Sequence, residues 1–102
     1  MGNITVFDDS AATPNAEIAL EGGDRVTLTL ERRRLVIRDV AGGKVIYEAR
    51  PDVVSEICVS MTMSRDPIRT SPLKLLASLV SRMPSAAEVT KTFRAAGAEI
   101  SP

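Results

Sequence analysis

The chain has 102 residues, with 13 basic against 13 acidic side chains and 44% apolar residues. That is one domain of ordinary globular make-up, long enough to bury a core without staples and too apolar for whole-chain disorder. Histidine is absent and cysteine occurs once, at Cys58, which excludes a histidine general base, a Cys/His metal cluster and a disulfide framework.

Ile4-Thr5-Val6-Phe7 is a short β-prone run stopped by Asp8-Asp9-Ser10. Residues 8–15 have loop composition, with Pro14 blocking a regular continuation. Residues 1–15 therefore read as an arm plus loop. The arm either adds an edge strand to its own sheet or pairs with a neighbouring subunit. Glu17 to Leu20 alternates polar and apolar before Gly22-Gly23 breaks it, which suits a short strand.

The clearest β signal follows. Val26, Leu28 and Leu30 alternate with Thr27, Thr29 and Glu31, so one face is apolar and the threonines look to solvent. Arg32-Arg33-Arg34 marks a turn, Leu35 and Ile37 share a face of the next strand, and Gly42-Gly43 joins it to Val45-Ile46-Tyr47-Glu48 as a hairpin. Arg50-Pro51-Asp52 reads as punctuation. Ile57, Val59, Met61 and Met63 then alternate with Cys58, Ser60 and Thr62, predicting a fourth strand that completes a meander over residues 25–63.

The period then changes to that of a helix. Ser71-Pro72 offers an N-cap and a first-turn proline, and Leu73, Leu76, Val80 and Met83 fall on one stripe, joined by Leu75 and Leu79. Pro84 ends this helix. Ser85-Ala86-Ala87-Glu88 matches a capping box ahead of a second stripe, Val89, Phe93 and Ala96. Gly97 is placed for a left-handed cap, and Ala98-Glu99-Ile100 for a short returning strand. The expected architecture is α+β: an antiparallel meander of about four to six strands followed by two C-terminal helices packed on it, in a single domain spanning residues 1–102.

The charge balance hides an asymmetry. Residues 1–24 carry five acids and no base, whereas residues 25–50 carry seven bases and three acids, a pattern that is self-complementary within a chain or between copies. Arginine outnumbers lysine ten to three, which follows either from a bacterial or phage genome rich in G and C or from selection for bidentate contacts to carboxylates or phosphates. Arg32, Arg33 and Arg34, extended by Arg38, form the most conspicuous cluster. They serve either as a solvated turn that protects a strand end, or as a contact for an acidic protein, a nucleic acid or an anionic lipid. Only three aromatic residues are present, few for the stacking platforms of single-strand binders.

Other candidates are weaker. Neither glycine pair fits a phosphate loop, and the spacing of Asp8, Asp9 and Asp24 does not match a calcium loop. Cys58 reads as a structural thiol. Met61 and Met63 suit a core or an adaptable contact. The helix at 72–83 has more apolar positions than one stripe needs, so Leu75 and Leu79 either pack on two sides or face a partner.

Two resemblances are visible. The hairpin around Gly42-Gly43, followed by Arg-Pro-Asp-Val-Val-Ser-Glu-Ile, is similar to the rhythm of pleckstrin-homology or GRAM-like domains, whose C-terminal helix would match residues 85–97. The helix at 72–83 stands where that fold expects strands. Residues 95–100 are similar to the helix-to-strand ending of ribosomal stalk proteins. Neither carries any residue over.

The sequence points to a non-enzymatic protein–protein interaction or assembly module, a structural, adaptor or inhibitor protein, with self-association an option. The candidate surface is Ile4, Val6 and Phe7, the arginines 32, 33, 34 and 38, and Leu75 and Leu79. The alternative is nucleic-acid or anionic-lipid binding through the arginines. No cofactor, metal or catalytic residue is expected. A lone cysteine suits a reducing compartment, Met1-Gly2-Asn3 does not open a secretory signal, and Leu73–Val80 falls far short of the ~20 residues of a membrane span. The cytoplasm is the expected location.

Overall fold

The computed structural model describes residues 2–10, 12–62 and 71–100, with side chains described at all of these except 59–62 and 98–100. Five strands come first: β1 (Asn3–Asp8), β2 (Asn15–Ala19), β3 (Arg25–Glu31), β4 (Arg34–Asp39) and β5 (Lys44–Ala49). Three helices follow: α1 (Pro51–Thr62), α2 (Pro72–Val80) and α3 (Ala86–Ile100). The strands form one antiparallel sheet in the order β1-β2-β3-β4-β5, so the α+β meander with C-terminal helices stands as expected.

Period-2 patterning divides the sheet's two faces. Ala16, Ile18, Val26, Leu28, Leu35, Ile37 and Ala49 are buried under the helices. Thr27, Thr29, Arg34, Arg38 and Glu48 occupy the other face, where Arg34 pairs with Glu48 at 3.0 Å and Arg38 with Glu31 at 3.8 Å. The helices contribute Val53, Val54 and Ile57 from α1, Leu73, Leu76 and Val80 from α2, and Val89 and Phe93 from α3. Each such side chain is worth ~1.5–3 kcal/mol when fully buried.

Two helix starts follow their sequence signals. Ser71 Oγ accepts from Lys74 N at 3.1 Å with Pro72 in the first turn, and Ser85 Oγ accepts from Glu88 N at 3.2 Å. Asp24, in the β2–β3 turn, accepts from Ala86 N at 2.9 Å, which ties α3 to the sheet. Gly22 N donates to Pro84 O and Gly2 N to Ser81 O, so the α2–α3 connection is strapped to the same end of the sheet.

Four expectations are corrected. The segment from Ile57 is helical, not a strand. Pro51 is the first residue of α1 rather than punctuation, Asp52 complements the helix dipole, and the buried set 53, 54, 57 and 58 has helical spacing. Of the methionine pair, Met61 falls within α1 and Met63 lies outside the described residues. Ala98-Glu99-Ile100 continues α3 instead of returning as a strand. Gly97 accordingly lies inside α3 and lacks the positive φ of a left-handed cap. A Cβ there would come within 2.9 Å of Tyr47 Oη, so the glycine makes room for the tyrosine. The three helices that follow β5 also depart from the pleckstrin-homology rhythm.

α2 packs on β2 and β3, α1 on β4, and α3 on β5, with α1 between the other two helices. The helix layer thus spans β2 to β5, and β1 extends the sheet beyond it.

Candidate interaction surface

Every residue of β1 is exposed. Ile4, Val6 and Phe7 are 39, 47 and 42% exposed, which is unusual for three large apolar side chains within one short strand. The strand's position explains it. β1 pairs with β2 on one side only, so the backbone N–H and C=O groups of its other edge look outward.

A register shift between Ile4 and Val6 sets the faces of β1. Ile4 lies opposite Ile18 and Phe7 opposite Ala16, both on the helix side, where Ile18 and Ala16 are buried. Val6 lies opposite Glu17. Thr5 Oγ1 donates to Glu17 O at 3.1 Å and to Glu17 Oε2 at 3.2 Å, so Thr5 belongs to the outward face as well. The bulge places two consecutive residues outward and leaves Ile4 and Phe7 together on the apolar side, next to the core and partly exposed. Past the strand, Ser10 N and Oγ both donate to Asp8 Oδ1, which turns the chain away.

The arginine cluster is divided. Arg32 and Arg33 form the two-residue tip of the β3–β4 hairpin, with φ of 51° and 71°, the backbone of a tight turn that Asn-Gly usually fills. Arg34 and Arg38 lie on the outward face of β4, each paired with a glutamate, and Arg50 is 3.7 Å from Asp52. Arg32 and Arg33 make no ion pair among the described residues. They border a cleft of about 780 Å³ lined also by Asp9, Leu30, Asp52 and Pro72. Asp9 and the two arginines thus line one cleft of a single chain, at the opposite end of α2 from the Gly2–Ser81 strap. A second cleft of about 430 Å³ lies beside Tyr47, Arg94 and Gly97.

Leu75 and Leu79 are half-buried and pack against the core, so the surplus apolar surface of α2 is largely used inside the domain. Cys58 is buried in α1, and burial pushes its thiol pKa up, opposite to what a thiolate nucleophile needs. Burial likewise raises Tyr47, whose ring lies 5.4 Å from that of Phe93. Among the described residues no cluster of three or more His, Cys, Asp or Glu could hold a metal ion, and no helix is long and apolar enough to cross a membrane.

The sequence residues that come together are therefore Ile4, Val6 and Phe7 on one edge. Arg32 and Arg33 lie at the β3–β4 tip, and Leu75 and Leu79 lie on α2, the helix packed on β2 and β3. Sequence reasoning missed the Tyr47–Gly97 approach and the bulge at Thr5 and Val6. No family model matches the chain, and no curated protein or solved structure matches it either.

Proposed function

We propose that this chain is a non-enzymatic protein-interaction module, acting in the cytoplasm, whose docking element is the edge strand β1. The observation that carries the reading is the exposure of all six residues of β1, with Ile4 and Phe7 on the apolar face beyond the helix layer. An incoming extended segment would gain main-chain hydrogen bonds from the edge and cover these two side chains, the physics of strand addition. Asn3 to Phe7 carries neither charge nor proline, two of the usual devices against edge pairing, and keeps only the bulge.

A second reading, nucleic acid or anionic lipid at Arg32 and Arg33, has their lack of an ion pair among the described residues in its favour. It is the weaker one, because Arg34, Arg38 and Arg50 are already matched by carboxylates.

A random-peptide display library panned on the full chain tests the first reading. Extended apolar peptides should be enriched. Their binding should fall at least tenfold on Phe7→Lys, about the effect of losing one interface anchor. It should survive both high salt and Arg32→Glu/Arg33→Glu. Enrichment of acidic peptides lost on the arginine variant, or no enrichment, overturns it. Size-exclusion chromatography of the same protein checks the second reading. With one tyrosine and no tryptophan the chain absorbs little, so 260 nm material stripped by salt would move the assignment to the arginines.

A further inference from the structure

We propose that the segment received by β1 is β1 of a second copy, paired antiparallel about a two-fold axis that passes between Thr5 and Val6. This deepens the strand-docking reading above and rests on it. In this register Ile4 of one copy lies opposite Phe7 of the other, Thr5 opposite Val6, and Asn3 opposite Asp8.

Directly opposed residues of an antiparallel pair point to the same side of the sheet. Ile4 and Phe7 are both on the helix side and Thr5 and Val6 both on the outward side, so every central pair agrees. The bulge is what makes this so, because in a regular strand residues 4 and 7 would face opposite ways. The bulges of the two copies fall beside each other across the axis, and neither shifts the pairing of the other. Sliding the register by one residue either way sets helix-side residues against outward ones, Ile4 against Val6 or Phe7 against Thr5.

Charge agrees with the same register. Asp8 is the only charged residue of β1, and it falls opposite the carboxamide of Asn3 instead of its own copy. The contact is isologous and closes, as most homodimers do. The merged sheet has twice the five strands of one chain, within the ~10 that a twisted open sheet accommodates. Pairing two six-residue strands buries on the order of 1,000 Å², the small end of specific interfaces, so a reversible, concentration-dependent dimer is expected and not a permanent one.

Two measurements on the full chain test this. Light scattering from 1 to about 200 μM should show a monomer–dimer equilibrium, resistant to salt and weakened at least tenfold by Phe7→Lys. Circular dichroism confirms that this variant folds, as expected for an exposed side chain. Ile4→Cys and Phe7→Cys chains are then mixed and oxidised, with the wild-type chain and its buried Cys58 as control. Opposed Cβ atoms lie about 5 Å apart, whereas Ile4 of one copy and Ile4 of the other are about 10 Å apart, too far for a disulfide. The mixed dimer should therefore exceed either self-dimer by about tenfold. A monomer at every concentration overturns the second copy as occupant, and the peptide selection then decides separately whether β1 docks another protein. A dimer in which the self-dimers match the mixed one, or in which nothing cross-links, overturns the register.

Discussion

Both edges of the sheet are six-residue strands and both adjoin an irregular register, yet they are finished differently. At β5, α3 packs against the strand, Tyr47 lies against Phe93, and Lys44 and Glu48 bring charge to the edge, the latter held by Arg34. At β1 no charge precedes Asp8, and Ile4 and Phe7 extend the apolar face past the last helix. Cover and charge are the usual ways to keep an edge from pairing. One edge of this molecule has both, and the other lacks the charge from Asn3 to Phe7 and, among the described residues, has no helix packed along it. The proposed reading makes the β5 side the one that serves stability and the β1 side the one that makes contact.

The largest test of that division compares two phenylalanines. Phe93→Ala should cost about 3–5 kcal/mol in urea unfolding, because the ring is fully buried and leaves a cavity. Phe7→Ala, at an exposed site, should stay within about 0.5 kcal/mol of wild type in the monomer. Equal losses would erase the contrast between the edges.

Two glycines sharpen it further. A Cβ at Gly2 would meet Ala19 O at 2.6 Å and Ser81 O at 2.7 Å, backbone atoms that cannot swing aside. Gly2→Ala should therefore cost about 2 kcal/mol and loosen the start of β1. At Gly97 the added methyl meets only the tip of Tyr47, and the gain in helix propensity of about 1 kcal/mol opposes the clash. Gly97→Ala should thus cost less than Gly2→Ala, and in a Tyr47→Phe background it should become stabilising. A double-mutant cycle by thermal denaturation reads both.

The hairpin tip carries a smaller effect of opposite sign. Arg32 and Arg33 hold left-handed φ values that cost non-glycine residues roughly 1 kcal/mol each. Arg32→Asn with Arg33→Gly should gain about 1 kcal/mol in urea unfolding.

The smallest effect is at alkaline pH. Cys58 and Tyr47 are both raised in the folded chain by burial, so each contributes stability that is complete below its unfolded pKa. That contribution falls as pH rises from the ordinary values of 9.0 for the thiol and 10.0 for the phenol, because the unfolded chain releases the proton first. Urea titrations from pH 7 to 11 should show the loss, with its later part reduced in Tyr47→Phe and its earlier part in Cys58→Ala.

Much of this fold is legible where local signals agree with the global arrangement. The Val26, Leu28 and Leu30 alternation marks β3, and Ser71-Pro72 and Ser85 with Glu88 mark two helix starts. α1 was hidden because its β-branched and sulfur-bearing residues alternate with polar ones over a few positions, and Pro51 serves equally as a turn residue or a first-turn helix residue. Ile4, Val6 and Phe7 were identifiable as a candidate surface. Their arrangement was not, since no residue type announces a bulge at Thr5 and Val6, and the exposure of β1 depends on how far three helices reach across the sheet.

The most direct test of the central claim is amide hydrogen exchange of β1 and β5 in the full chain, at about 1 and 200 μM. The outward amides of β1 should gain protection at the higher concentration, while those of β5 remain unchanged. Protection that rises at β5, or at neither edge, would contradict the assignment of β1 as the edge where a second copy docks.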